Sequence, residues 1–289
     1  MQPYSNARLN DVVKYALKFA SKDLDESIDF LAEVIKDATE IMLLTKDLTE
    51  GEISKSQHLL YQQVLRRTSS IIDLSKNTLF LEKSLPDVSS TFVIARANYE
   101  AILLAASFGL KREKSEIELL RFFAWRISAL KERRRASNIP EDVLLGIQEQ
   151  INLLEKRIEG LKLYEPNKDE IDRAIKKKKY HFTMNGDKVV MGNWTVWEFE
   201  ELKGSMLLLQ CHGHPSEIAI ENFSRIYYDP VYSELLSVIK MSIVFLCSAA
   251  YVSMRVSDKF LPNDFCMLCS YLTRKGNIFH FSPQSEKEE

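Results

Sequence analysis

Glycine and proline are scarce in this chain, nine and eight among 289 residues. Together with abundant Leu, Ile, Lys and Glu, that scarcity leaves little room for a turn-dense fold and points to long helices with short connections. Four cysteines are few for this length, and two of them sit in strongly apolar contexts. They read as reduced thiols rather than a disulfide framework. The formal net charge of −2 excludes a global attraction to nucleic acid or to an anionic membrane. The first residues, MQPYSNARLNDVVKYALKF, lack the uninterrupted apolar core of a signal peptide. Uninterrupted apolar runs of membrane length are missing as well. The stretch 92–110 contains Arg96, Asn98 and Glu100, and 241–254 is 14 residues between Lys240 and Arg255, against the ~20 a span needs. Both read as buried helices of a soluble protein, with the cytoplasm as its default place.

Familiar chemistry is absent too. There is no G-x-x-x-x-G-K and no G-x-G-x-x-G, so neither standard phosphate cradle is present. No G-x-S-x-G elbow and no H-E-x-x-H occurs. Di-iron sites of helical enzymes use E-x-x-H. Here the residues three before the five histidines are Lys55, Lys178, Leu209, Cys211 and Asn277, none of them acidic. No cofactor is expected.

What is present is helical periodicity. Ile28, Leu31, Ile35, Ala38 and Met42 form a stripe, with Gly51 expected to end that helix. A second helix is expected to carry Leu60, Val64, Ile71, Leu74 and Leu81, interrupted by Arg67 and Thr78, until Pro86 stops it. The stretch 92–110 is apolar almost all round and should be surrounded by other helices. An antiparallel coiled-coil hairpin is expected over 112–164, about 35 Å long at 1.5 Å per residue, protruding from the bundle. Leu144, Ile147, Ile151, Leu154, Ile158 and Leu161 make an unbroken seam in its second helix. Ile117, Leu120, Ala124 and Ile127 face them from the first. Asn138-Ile139-Pro140-Glu141 matches a capping box with Asn138 as the cap. Asn185-Gly186 between β-prone runs signals a small β-hairpin at 180–194. The fold class is therefore all-α, a bundle of eight to ten helices with one helical hairpin and one β-hairpin. Residues 1–280 form a single domain and 281–289 a disordered tail.

Three constellations are candidates for function. The first is local charge. Between 22 and 52 there are ten acids against three bases, and between 111 and 135 nine bases against four acids. The basic stretch ends in Arg133, Arg134 and Arg135 at the expected hairpin tip, and a second run follows at Lys176, Lys177, Lys178 and Lys179. These are either solvated faces or a patch that tracks phosphates. The second is CHGHPS, where Cys211, His212 and His214 precede a Cys266-x-x-Cys269 pair. Gathered together these would suit zinc, but Cys266 and Cys269 lie in an apolar helical stretch where cysteine acts as a small hydrophobe. The expectation is a helix end and no metal. The third is Arg96 with Glu100, one turn apart on the most apolar helix. A buried charge there must be paired, as a structural bridge or as the floor of a polar pocket shared with His212 and His214.

The order of these features, R-A-N-Y-E on an apolar helix, then Trp194, then His212 or His214 with Pro215, resembles a broad group of bacterial all-helical proteins of unassigned function. The resemblance covers 89–223. Leu-Leu-Gln-Cys stands where that group has tyrosine and serine before the histidine. The group is similar, distantly, to helical domains of prokaryotic toxin and phage-defence systems. Helical ribonucleases of that kind place an arginine shortly before a histidine, and the spacing here is Arg274 to His280, where Gly276 and Asn277 disfavour one continuous helix. What these readings imply is a non-enzymatic interaction protein, engaging a protein partner or itself through the hairpin, or nucleic acid through the basic runs. The alternative is a helical hydrolase or nuclease-like enzyme with a pocket at Arg96, Glu100, His212 and His214. No membrane partner is expected.

Overall fold

A computed structural model describes residues 23–46, 51–76, 78–80, 83–109, 113–136, 138–192 and 233–256. Four helices make the larger part of the core: α1 (Leu24–Lys46), α2 (Glu52–Ser75), α3 (Val88–Ser107) and α7 (Ser233–Val256). Helix α7 touches each of the other three. Its run Val238, Ile239, Met241, Ile243, Val244, Phe245 and Leu246 is buried, which is why the sequence there is apolar all round. Among the described residues no helix is long and apolar enough to cross a membrane. Helix α1 buries Ile28, Leu31, Val34 and Ala38. Asp23 caps it, Oδ1 accepting from the Glu26 amide at 3.0 Å.

Two boundaries differ from expectation. Gly51, at φ 83°, opens α2 rather than closing α1. Helix α2 stops at Ser75, and β1 (Thr78–Phe80) and β2 (Lys83–Leu85) form an antiparallel pair, with Thr78 opposite Leu85 and Phe80 opposite Lys83. Leu74 and Leu81 are seven apart and fit a helical stripe. The same stretch also fits two short strands, and the strands prevail.

The second part of the molecule is built on α4 (Glu116–Arg133), α5 (Glu141–Glu159), α6 (Lys168–Lys176) and a hairpin of β3 (Phe182–Asn185) and β4 (Lys188–Met191). Helices α4 and α5 pair as an antiparallel hairpin. Ile147, Ile151, Leu154 and Ile158 are buried on α5, and Leu120, Ala124 and Ile127 on α4. Asn138 does not cap α5. It turns the chain at φ 65°, and Pro140 stands at the helix start, since the residue before a proline is kept out of the helical region. The capping carboxylate is instead Glu118, which accepts from the Ser115 amide at 2.8 Å at the start of α4. Gly186 supplies the positive φ of 61° that the β3–β4 loop needs.

The hairpin is anchored along α4. Arg121 Nε donates to the Phe182 carbonyl at 2.6 Å, and α6 lies along the same helix. Phe108, at the end of α3, packs on Phe122 and Trp125 at ring separations of 5.2 and 5.3 Å. Glu52 at the start of α2 receives Arg126 at 2.7 Å and Arg157 at 3.1 Å, so one carboxylate ties both hairpin helices to the bundle. Inside the junction Gln57, fully buried, donates Nε2 to the carbonyls of Ala105 at 2.7 Å and Gly109 at 2.8 Å. Lys114 donates to the same Gly109 carbonyl at 2.7 Å. Burial pulls the Lys114 ammonium below its usual range, with Glu118 partly offsetting it. Gly109 sits at φ 85°, a backbone conformation strained for any residue with a Cβ, and a Cβ there would also displace the Glu118 carboxylate.

Candidate functional site

The two basic runs, some 40 residues apart in sequence, meet in space. Helix α4 ends at Arg133 and the chain turns through Arg134 and Arg135, all three exposed. Helix α6 ends at Lys176, and Lys177 and Lys179 are exposed beyond it. The contact that joins them is Lys178 Nζ to Glu132 Oε1. Glu132 also faces Arg135 at 4.0 Å. Its carboxyl is held below the usual range, first by the hydrogen bond from Lys178, which outweighs the opposing effect of desolvation, and then, more weakly, by the charges of Lys178 and Arg135. Lys131 is paired with Glu155 at 3.1 Å and Arg173 with Glu170 at 3.9 Å. Arg134 is engaged by the neutral Gln148. Among the described residues Arg133, Lys176 and Lys177 form no ion pair. The result is a surface with a surplus of positive charge at the turn of the helical hairpin.

The backbone that delivers Lys178 is unusual. After α6 the Lys179 amide bonds to the Ala174 carbonyl at 2.8 Å and the Lys178 amide to Ile175 at 3.0 Å. This is the paired closure of a Schellman motif, whose left-handed position is normally glycine. Here that position is Lys178, at φ 57°. A side chain there costs about 1 kcal/mol over glycine. Sequence periodicity gave no sign of it, because nothing in a lysine run marks which residue ends the helix.

The Arg96–Glu100 pair is formed, Nε to Oε1 at 3.0 Å, but it is not buried. Its side chains are 34% and 62% exposed. Helix α3 leaves one stripe open at Val93, Arg96 and Glu100, while Phe92, Ala95 and Asn98 are fully buried. An exposed i,i+4 pair of this kind contributes about 0.3–0.5 kcal/mol, so the expectation of a buried bridge is corrected. The Tyr180 phenol is raised by burial and then by the Glu100 charge. His181 is lowered to about 4 by burial, then by Arg121 and Lys179. It is neutral at pH 7. His212 and His214, the other half of the expected pocket, lie outside the described residues, as do Cys211, Pro215, Trp194, Cys266, Cys269, Arg274, His280 and the tail at 281–289. Among the described residues no three metal-ligating side chains gather.

The polar groups inside the four-helix part were not anticipated. His58 Nδ1 lies 3.4 Å from Ser253 Oγ, which is 3.1 Å from Thr45 Oγ1. Asn98 Nδ2 donates to Thr68 Oγ1 at 3.1 Å. Tyr61 donates to the Ala38 carbonyl, and burial raises its phenol well above the usual range. Each of these joins two helices, and Ser253, Thr45, Asn98 and Thr68 are fully enclosed. Such bonds satisfy buried polar atoms and hold helices in register. A void between α2, α3 and α7, lined by Leu60, Tyr61, Val64, Ala101 and Ala105, offers a water about 10 Å³, at the lower limit for holding even one. The basic surface is thus one place where the described residues present charged groups to solvent in number. Compared with known protein families, curated proteins and solved structures, the chain matches none.

Proposed function

We propose that this chain is a non-enzymatic interaction protein that holds a nucleic acid through the combined basic surface at the hairpin turn. The observation that carries the reading is the contact of Lys178 with Glu132, which joins the end of α6, with Lys176, Lys177 and Lys179, to the end of α4, with Arg133, Arg134 and Arg135. Lysine and arginine dominate both runs, with the half-buried Tyr180 as the one adjoining aromatic after Lys179, so the phosphate backbone is the feature chiefly addressed. The surface therefore suits sequence-independent binding of a duplex. Five phosphates neutralised would make the affinity fall roughly 500-fold between 50 and 200 mM salt. The setting we propose, a cytoplasmic one in a bacterial defence or toxin-type system, rests only on the resemblance over 89–223, carried by Arg96, Glu100, Trp194 and His212 or His214 with Pro215.

The test is fluorescence anisotropy with a 20-base-pair duplex and an RNA hairpin at low salt. Arg133→Glu with Arg135→Glu, and separately Lys176→Glu with Lys177→Glu, should each weaken binding strongly. If both double variants bind as the parent does, the surface is not the interface. If neither nucleic acid binds the parent, while the variants change its self-association, the hairpin serves a second copy of the chain instead.

A further inference from the structure

We propose that the Lys178–Glu132 contact is displaceable: a phosphate of the bound nucleic acid replaces the Glu132 carboxylate between Lys178 and Arg135, and Glu132 thereby limits how tightly the surface binds. This rests on the nucleic-acid reading above. Three observations carry it. The first is the backbone. Every hydrogen bond that closes α6 is made by amides and carbonyls, so glycine at 178 would close the helix equally and without strain at φ 57°. The lysine side chain is not needed for the cap, and strain retained at such a position points to a use for the side chain. The second is placement. Glu132 lies within the arginine run and faces one cation from each run, Lys178 and Arg135 at 4.0 Å. It is the group that neutralises part of the surface from within. The third is access. Glu132 is 57% exposed, so a phosphate reaches its partners without opening the core. A phosphodiester carries a single negative charge and two free oxygens, as a carboxylate does, so it can meet the same two cations, while the displaced Glu132 carboxylate stays nearby and opposes it.

Two variants test it, each measured for duplex affinity, salt slope and melting temperature. Glu132→Gln should bind the 20-base-pair duplex more tightly than the parent, since the phosphate no longer has to displace a carboxylate from Lys178 and Arg135. Lys178→Gly should melt at the same temperature as the parent or higher, and bind more weakly with a slope shallower by about 1. If Glu132→Gln binds no tighter than the parent, Glu132 is not a competitor and the proposal fails while the surface stands. If Lys178→Gly melts clearly lower, the lysine is a structural strut and the proposal fails on that ground. A parent that binds no duplex at low salt removes the surface itself, and this inference with it.

Discussion

Replacing Gln57 with leucine should loosen the joint between the four-helix part and the helical hairpin. Gln57 is fully enclosed, and its amide serves two carbonyls, Ala105 at 2.7 Å and Gly109 at 2.8 Å. Leucine fills nearly the same space but donates nothing. The Gly109 carbonyl keeps Lys114 at 2.7 Å, so it is not orphaned. The Ala105 carbonyl loses its Gln57 donor, because the Gly109 amide bonds to Ala106 instead. One buried carbonyl left without that partner, and one weakened, should cost about 2 kcal/mol. Urea unfolding with linear extrapolation resolves a change of that size, and amide exchange should accelerate around 105–109 before the rest of α3. Gln57→Glu provides an internal control. Its carboxylate has no proton for the two carbonyls and would face only Lys114, whose Nζ lies 3.4 Å from Gln57 Oε1, so at pH 7 it too should be less stable than the parent. Relative to the parent it should recover below about pH 4, where a carboxyl protonates and regains one donor. A leucine variant within 0.5 kcal/mol of the parent, with unchanged exchange at 105–109, would refute the joint as described.

Three further outcomes are expected. Ile151→Asp places a charge in the α4–α5 seam, where Ile151 is 1% exposed; unfolding should be easier by about 3–5 kcal/mol, and a parent-like denaturation midpoint would show the seam to be open. Glu100→Gln should change stability by less than about 0.5 kcal/mol, because the Arg96 pair is solvent-facing, and a loss of several kcal/mol in the same measurement would restore the buried reading. His181 has a folded value of about 4, lowered from 6.5 chiefly by burial, so the unfolded chain binds the extra proton between those values; its contribution to stability is full above pH 6.5 and declines as pH falls toward 4. His181→Gln should flatten the pH dependence of melting in that window, and an NMR titration of His181 near 6.5 would contradict the assignment.

The heptad of α5 was legible because Ile147, Ile151, Leu154 and Ile158 need only one neighbour, the helix next in sequence. The β3–β4 hairpin was legible for a similar local reason, the Asn185-Gly186 turn. Helix α7 showed itself through an apolar run that only a surrounded position explains. Where the reading went astray, the deciding partner lay elsewhere in the chain. Arg96 and Glu100 sit on an apolar helix, yet the four-helix arrangement leaves their stripe of α3 open, and no periodicity carries that information. Asn138 has the chemistry of a cap, but Pro140 set the helix start and left Asn138 to make the turn. The β1–β2 pair fits both periods, and a short leucine-bearing stretch does not choose between them. The basic runs were each visible; that they share one surface depends on Lys178 taking a backbone conformation that glycine usually supplies.

The central claim, that the two runs act as one surface, is tested most directly by the salt dependence of duplex binding. The parent is compared with Arg133→Gln, Arg134→Gln, Arg135→Gln combined, and with Lys176→Gln, Lys177→Gln, Lys179→Gln combined. The account predicts a parent slope of log affinity against log salt of about −4 to −5, and a shallower slope by about 2 in each triple variant. A parent slope near zero, or one run whose removal leaves the slope untouched, would contradict it.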